Sequence, residues 1–153
     1  MIIREMVVDD LYRGYLQCLE PLAETKLLIP EAIQIFQRIK ASPNIRIFVA
    51  IAEVNWTTTE CVGTVTVIAE QKFIHKGGLV GHIEDVSVRK DWHGKRVGKQ
   101  LVHHALDYCK SLGCYKVILD CREELVSYYN SFGFKKYESG MRLDLACETS
   151  ERA

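Results

Sequence analysis

The stretch from Gly81 to Leu112 constrains the fold of this chain more than any other. It predicts a strand over 81–88, a basic glycine loop over 93–99 and then a helix with apolar residues at helical spacing. Gly113 follows the helix as its C′ residue. A strand that runs through a glycine loop into a helix N-terminus presents unpaired backbone N–H groups, which bind phosphate well. The stretch therefore predicts an α/β domain with an anion site at the loop. A plain turn with solvated lysines is the alternative.

The loop supplies the charge and the space that an anion needs. Lys95, Arg96 and Lys99 are cationic, and Gly94 and Gly98 let the backbone approach a ligand without a Cβ in the way. A P-loop is excluded, because three residues instead of four separate the two glycines and a glutamine follows the second lysine. A Rossmann dinucleotide site is unsupported, because no Gly-x-Gly-x-x-Gly occurs.

Length and composition limit the classes of protein that remain. A chain of 153 residues, 48% apolar and 26% charged, suits one domain with a single core. A formal net charge of zero argues against nucleic acid as the main partner. No apolar run approaches the ~20 residues that span a bilayer, and the charged N-terminus is unlike a signal sequence. We expect a soluble cytoplasmic protein with no membrane partner, one domain over 1–147 and a disordered tail over 148–153.

The cysteines and histidines do not indicate a metal site. The six cysteines form no Cys-x-x-Cys pair, and the histidines form no His-Glu-x-x-His. Without a secretory signal, dispersed cysteines are typical of reduced core residues. A catalytic cysteine is a weaker alternative, because no neighbouring group would activate it. The cysteines are Cys18, Cys61, Cys109, Cys114, Cys121 and Cys147.

Hydrophobic patterning predicts further strands and helices on both sides of the central stretch. Before it we expect an edge strand, a helix capped by Asp9 or Asp10, a helix that begins at Pro30, and a strand hairpin. After it we expect a strand parallel to the central one, a short helix that ends at Gly133, and two final strands. The predicted strands are 1–8, 45–52, 61–68, 115–120, 134–137 and 141–145.

The central strand changes the parity of its apolar residues. Leu79 and Ile83 are odd-numbered, whereas Val86 and Val88 are even-numbered, and Glu84-Asp85 lies at the switch. Because side chains alternate along a strand, the switch predicts one inserted residue, a β-bulge. A bulge re-aims carboxylates and frees backbone groups from the ladder. The alternative is a regular strand whose two carboxylates face solvent.

The glycine loop resembles the Gln/Arg-x-x-Gly-x-Gly/Ala loop that grips the pyrophosphate of coenzyme A in the GNAT acetyltransferase superfamily. Here His93 stands at the first position and Arg96 at the middle glycine. Further stretches are similar to one family within it, the glucosamine-6-phosphate N-acetyltransferases, in order and spacing. They are Lys-Phe-Ile-His at 72–75, Ile-Glu-Asp-Val at 83–86, Gly-Cys-Tyr-Lys-Val-Ile-Leu-Asp-Cys at 113–121 and Tyr-Tyr-Asn-Ser-Phe-Gly-Phe at 128–134. Leu125 departs from the family's Asn, and Asp144 stands where we expect a basic residue.

The resemblance implies a fold and a reaction. The fold is the GNAT α/β fold, a mixed, mostly antiparallel sheet with a bulged, splayed mid-sheet strand and flanking helices. The reaction moves the acetyl group of acetyl-CoA to the amine of D-glucosamine 6-phosphate, by direct attack in a ternary complex and without a metal. The product, N-acetylglucosamine 6-phosphate, leads to UDP-N-acetylglucosamine. The resemblance also implies a homodimer with sites completed across the interface.

The resemblance further assigns roles to individual residues. Glu84 is the candidate base, Asp120 helps to hold the amine, and Tyr129 serves the leaving thiolate. The residues expected to bind acetyl-CoA are Val86, Ser87, Val88, His93, Gly94, Lys95, Arg96, Val97, Gly98 and Lys99. Those expected to bind the sugar phosphate are Lys72, Phe73, His75, Glu84, Asp85, Tyr115, Lys116 and Arg142.

Two other functions stay open from the sequence. One is a GNAT enzyme that acetylates another amine, such as a polyamine or a protein N-terminus. The other is a non-catalytic sensor that binds acyl-CoA, which the altered residues of the glycine loop favour.

Overall fold

The computed structural model describes residues 1–145. The chain divides into a first unit, Met1–Leu119, and a second unit that begins at Asp120 and is described as far as Leu145. The expectation of one domain over 1–147 stays a prediction. Cys147 and the expected tail over 148–153 lie outside the described residues.

The first unit contains a five-stranded mixed sheet. The strands follow chain order in space, every neighbouring pair is antiparallel except the last pair, and the first strand lies at one edge. This arrangement confirms the predicted fold class, the edge strand, the hairpin and the parallel last pair. The parallel pair requires a crossover, which the long helix α4 (Val97–Ser111) provides. The strands are β1 (Ile2–Glu5), β2 (Ile45–Glu53), β3 (Thr59–Gln71), β4 (Leu79–Val88) and β5 (Cys114–Ile118).

The helices of the first unit begin and end largely where their caps predict. Helix α2 (Ile29–Ala41) carries Pro30 in its first turn, and α4 is followed by Gly113 at φ +75°. The single predicted N-terminal helix is instead a 3-10 helix (Val8–Arg13) and a short α-helix, α1 (Tyr15–Leu19), because Gly14 lies between them at φ +93°. The helical segments are Val8–Arg13 (3-10), α1 (Tyr15–Leu19), α2 (Ile29–Ala41), the single turn α3 (Ile74–Gly77), Lys90–Trp92 (3-10) and α4 (Val97–Ser111).

Helix α4 packs closely on one face of the sheet. Its residues Leu101, Val102 and Ala105 are fully buried. A Cβ at Gly63 of β3 would lie 3.0 Å from both the Leu101 and Val97 side chains. Large side chains at this position of the sheet would therefore push away the helix that begins at the glycine loop. No helix among residues 1–145 has the length and apolarity needed to cross a membrane.

The second unit contains a 3-10 helix (Glu123–Leu125) and α5 (Val126–Asn130), with Gly133 in the left-handed region beyond them. The two strands predicted over 134–137 and 141–145 are wrong, because both segments are irregular. Strands need ladder hydrogen bonds and cross-strand packing, and apolar alternation supplies neither by itself. The apolar side chains of these segments are exposed instead: Tyr137, Met141, Leu143 and Leu145 are 77%, 98%, 82% and 81% accessible.

Candidate active site

The predicted bulge is present in β4. Thr66 of β3 pairs with Glu84, whereas Thr64 pairs with Ser87, so two steps along β3 match three steps along β4. Asp85 has φ +49°, a left-handed conformation that takes its residue out of the regular ladder. The alternative of a regular strand is thereby excluded.

The bulge exchanges the two faces of β4. Before it, Gly81 faces α4, because a Cβ there would lie 2.6 Å from Cys109 Sγ. After it, Val88 pairs with Gly63, which also faces α4. In the part of β4 that precedes the bulge, odd-numbered residues therefore face α4. In the part that follows it, even-numbered residues do, as the parity switch predicts. Glu84 lies on the opposite face, half-buried.

Strands β4 and β5 separate directly before the bulge. Their pairing covers only Leu79 to His82 of β4 and Cys114 to Ile118 of β5. From Ile83 to Val88, β4 has no ladder partner on its β5 side among the described residues. The backbone groups along this edge can therefore accept a strand-like ligand.

The glycine loop is built to present backbone groups. The His93 ring donates through Nε2 to the Val88 carbonyl oxygen at 2.8 Å, which ties the loop to the end of β4. Lys95 Nζ lies 4.2 Å from the centre of the Trp92 ring, a cation–π contact. A Cβ at Gly94, which has φ +76°, would meet no atom within 4 Å, so the space above it is open.

Helix α4 begins at the end of this loop without a side-chain cap. Its N-cap residue, Arg96, has φ +62°, and within residues 1–145 no side-chain hydrogen bond caps the first turn. The N–H groups of Val97, Gly98 and Lys99 have no intrahelical partner and point at the loop. Val97 as a whole is only 1% exposed, so the accessible part of the first turn is formed by the half-buried Gly98 and the exposed Lys99.

The segment Lys72–Gly78 forms a strained loop beside β5. His75 and Lys76 both have left-handed backbone angles, φ +51° and +57°, which are costly for residues with a Cβ. The loop is closed by a hydrogen bond from Lys72 N to Gly78 O at 2.9 Å and from Gln71 Nε2 to Gly77 O at 2.7 Å.

The side chains of this loop differ in what they contact. The His75 ring stacks on Tyr115 of β5 with 4.3 Å between ring centres. Lys116 Nζ lies 5.9 Å from the centre of the same Tyr115 ring, whereas Phe73 is fully exposed. Several of the residues predicted to bind the sugar phosphate therefore lie together on the first unit.

Lys72 belongs to a cluster that the sequence did not reveal. Its Nζ donates to Glu70 Oε1, and Glu70 Oε2 lies 2.8 Å from His82 Nε2. The hydrogen bond from Lys72, and to a smaller extent the one from His82, holds the pKa of the Glu70 carboxyl below its usual value. Glu70 and His82 were assigned no role, and only the register between β3 and β4 could have indicated their contact.

The second unit carries three of the predicted residues. Tyr129 is 8% exposed and packs against Tyr128 and Phe134, with ring centres 5.1 and 6.0 Å away. Burial raises the pKa of the Tyr129 phenol to about 12. Asp120 is exposed, and the exposed Arg142 pairs with Asp144 at 2.6 Å (Nη2 to Oδ1).

A separate cleft of about 1140 Å³ in the first unit contains none of the predicted site residues. It lies between the N-terminal helices and the beginning of β3. Arg89, which lines it, already pairs with two carboxylates, Glu60 at 2.5 Å and Asp91 at 2.7 Å. Residues 1–145 contain no cluster of His, Cys, Asp and Glu suited to a metal ion.

Comparisons with known proteins agree with this geometry. The glucosamine 6-phosphate N-acetyltransferase of Arabidopsis thaliana is 36% identical over 132 residues, which cover 86% of this chain and 87% of that protein. Glucosamine 6-phosphate N-acetyltransferase 1 of Dictyostelium discoideum is 32% identical over 133 residues, 87% of this chain and 83% of its own. The crystal structure of the Arabidopsis enzyme matches with a TM-score of 0.88 and 33% identity, over 95% of this chain and 98% of that chain.

The sequence also matches a family description over most of its length. Residues 6–134 match the acetyltransferase (GNAT) family. The matched range includes the bulged strand, the glycine loop and the helix that follows it. This chain belongs to the GNAT family of acetyltransferases.

Proposed function

We propose that this chain transfers the acetyl group of acetyl-CoA to the amine of D-glucosamine 6-phosphate. The product, N-acetylglucosamine 6-phosphate, is a precursor of UDP-N-acetylglucosamine. The observation that carries the proposal is the bulge at Glu84–Asp85, which leaves an unpaired strand edge directly before an uncapped, basic helix N-terminus. The names of the similar proteins support the choice of acceptor.

Acetyl-CoA is proposed to bind along β4 as an additional strand. Its pantetheine amides would pair with the backbone of Val86, Ser87 and Val88, whose β5 side carries no ladder partner among the described residues. Its pyrophosphate would lie at the first turn of α4, where N–H groups and the helix dipole attract an anion. Lys95, Arg96 and Lys99 would add positive charge there. The other loop residues in this proposal are His93, Gly94, Val97 and Gly98.

The proposed chemistry is direct attack of the amine on the thioester. Glu84 takes one proton from the ammonium group, and the neutral nitrogen forms a bond to the carbonyl carbon. The nitrogen gives its second proton to water as the carbon–sulfur bond breaks, and coenzyme A leaves as the thiolate. The Val86 N–H stabilises the developing oxyanion, and Asp120 helps to hold the amine. The Tyr129 phenol stabilises the departing thiolate. With a pKa of about 12, well above the ~8.5 of a thiol, its phenol donates a hydrogen bond rather than its proton.

The acceptor is proposed to bind at the strained loop and the neighbouring edge strand. Lys72, His75 and Lys116 supply cations for the phosphate, and Tyr115 and Phe73 border them. Asp85 and Arg142 complete the proposed set. The proposal includes a cytoplasmic homodimer, so the Tyr115 and Lys116 of each phosphate site come from one subunit and Lys72 and His75 from the other.

A thiol-release assay with acetyl-CoA tests this function against the alternatives. We expect thiol release with glucosamine 6-phosphate and far less with unphosphorylated glucosamine. Turnover of another amine with neither sugar would favour the other GNAT activity. Thermal stabilisation by coenzyme A without release from either sugar would favour the sensor.

Tyr129→Phe tests the role assigned to the phenol. We expect kcat to fall about 10²-fold with little change in KM, because the hydrogen bond to the departing thiolate strengthens only as negative charge develops on the sulfur. Tyr128→Phe is the matched control, because Tyr128 is the adjacent tyrosine in the same ring cluster. An unchanged kcat in Tyr129→Phe would remove the phenol from the mechanism.

A further inference from the structure

We propose that Glu70 and His82 are positioning residues that hold the ammonium group of Lys72 for the phosphate of the acceptor. They thereby favour phosphorylated over unphosphorylated glucosamine. This inference rests on the function proposed above and adds two residues to it. Neither residue needs to touch the substrate.

The contacts form a chain from the sheet to the lysine. Each oxygen of the Glu70 carboxylate has its own partner: Oε1 accepts from Lys72 Nζ, and Oε2 accepts from His82 Nε2 at 2.8 Å. Glu70 and His82 stand on paired strands of the sheet, and Lys72 is the first residue after β3. The carboxylate is therefore fixed from two sides and fixes the lysine in turn.

The cluster lies beside the candidate base. His82 and Glu84 are two residues apart on β4 before the bulge, so both side chains lie on the same face, about 7 Å apart along the strand. Their partners on β3, Ile68 and Thr66, follow the same alternation. An amino sugar whose nitrogen lies at Glu84 is therefore long enough to reach this cluster with its phosphate.

The physical advantage of the arrangement is preorganisation. A lysine side chain is flexible, and ordering it when the phosphate binds reduces affinity. Here the Lys72 side chain is only 31% exposed and already held. An ammonium group has three N–H donors, so Lys72 can keep its bond to Glu70 and still donate to a phosphate.

Steady-state kinetics with Glu70→Gln test the inference. We expect the KM for glucosamine 6-phosphate to rise about tenfold, equivalent to about 1.4 kcal/mol, while kcat and the KM for acetyl-CoA stay unchanged. Turnover of unphosphorylated glucosamine should not change. The control is Glu5→Gln, which removes a Lys–Glu pair with Lys40 at the β1 edge of the sheet. An unchanged or lower KM in Glu70→Gln overturns the inference.

A double-variant cycle separates positioning from a general structural role. If Glu70 acts through Lys72, Glu70→Gln should add nothing to the KM increase caused by Lys72→Met. Equal increases in both backgrounds overturn the inference. Absence of thiol release by the native chain overturns the proposed function together with this inference. Native turnover with additive variants overturns this inference alone.

Variants of His82 test whether its hydrogen bond to Glu70 contributes to holding Lys72. His82→Gln retains an N–H donor at the place of Nε2, so we expect a nearly native KM. His82→Phe retains the ring but has no donor, so we expect a KM increase similar to that of Glu70→Gln. Equal kinetics for the two His82 variants overturn the role of His82.

Discussion

Gly81→Ala should destabilise the contact between β4 and α4. A Cβ at this position would lie 2.6 Å from Cys109 Sγ, 3.3 Å from Cys109 Cβ and 3.4 Å from Val117 Cγ2. Heavy atoms normally approach no closer than about 3.5 Å without repulsion. Cys109 is fully buried, so its sulfur has no open space to enter and the helix must shift.

The size of the effect follows from the tightness of this contact. Overpacking a buried site by one methyl group costs about 1–3 kcal/mol. An unfolding entropy of about 2.1 cal/mol/K per residue gives roughly 0.3 kcal/mol/K for a chain of 153 residues. We therefore expect Gly81→Ala to lower Tm by about 3–9 °C. Because α4 begins at the glycine loop, we also expect a higher KM for acetyl-CoA.

Urea unfolding of a double-variant cycle tests the cause of this loss. Cys109→Ala removes the sulfur that the new methyl group would meet. Gly81→Ala should therefore cost much less in the Cys109→Ala background than in the native chain. Equal losses in the two backgrounds would refute the steric explanation, and so would a native unfolding midpoint in Gly81→Ala itself.

Three further predictions concern buried polar groups. Asp10→Ala should lower the free energy of unfolding by about 3 kcal/mol in urea, because the buried carboxylate accepts from two Arg4 nitrogens at 2.7 Å and from Val7 N at 2.9 Å. Ser87→Ala should raise the free energy of unfolding by about 1 kcal/mol, because Ser87 Oγ is buried without a hydrogen-bond partner among the described residues. Burial raises the pKa of Tyr15 from 10.0 to about 12, so as pH rises Tyr15 loses its proton in the unfolded chain before it does so in the folded chain. The free energy of unfolding should therefore fall by about 1.4 kcal/mol per pH unit between these two pH values. Unfolding of Tyr15→Phe should show a smaller loss over the same range.

The bulge could be predicted because the two faces of β4 differ: one packs against α4, and the other carries His82 and Glu84. The change of parity between Ile83 and Val86 predicted the bulge, since these apolar residues must both lie on the face toward α4. The glycine loop could also be predicted, because a tight turn into a helix needs backbone angles that glycine adopts most easily. Even Arg96 fits this reading, since it has a positive φ at the position where the resembling motif has glycine.

Features that depend on partners distant in sequence could not be read in the same way. The segments 134–137 and 141–145 have the apolar residues of strands but no strand pairing in the second unit. The N-terminal helix was predicted as continuous because its apolar spacing continues past Gly14, whose φ of +93° interrupts it. Periodicity shows which residues would lie on the same face of a helix or strand. Whether that helix or strand forms depends on the tertiary contacts of the face.

The Glu70–His82 contact shows how one inserted residue determines both parts of the proposed site. Continued without a bulge, the register that pairs Thr64 with Ser87 would place His82 opposite Ala69, on the face away from Glu70. The inserted residue shifts this register by one, so His82 pairs with Ile68 and shares a face with Glu70. The same insertion directs Glu84 to that face, next to the unpaired edge of β4. The candidate base and the residues that hold Lys72 therefore depend on a single irregularity, and removing it would separate them.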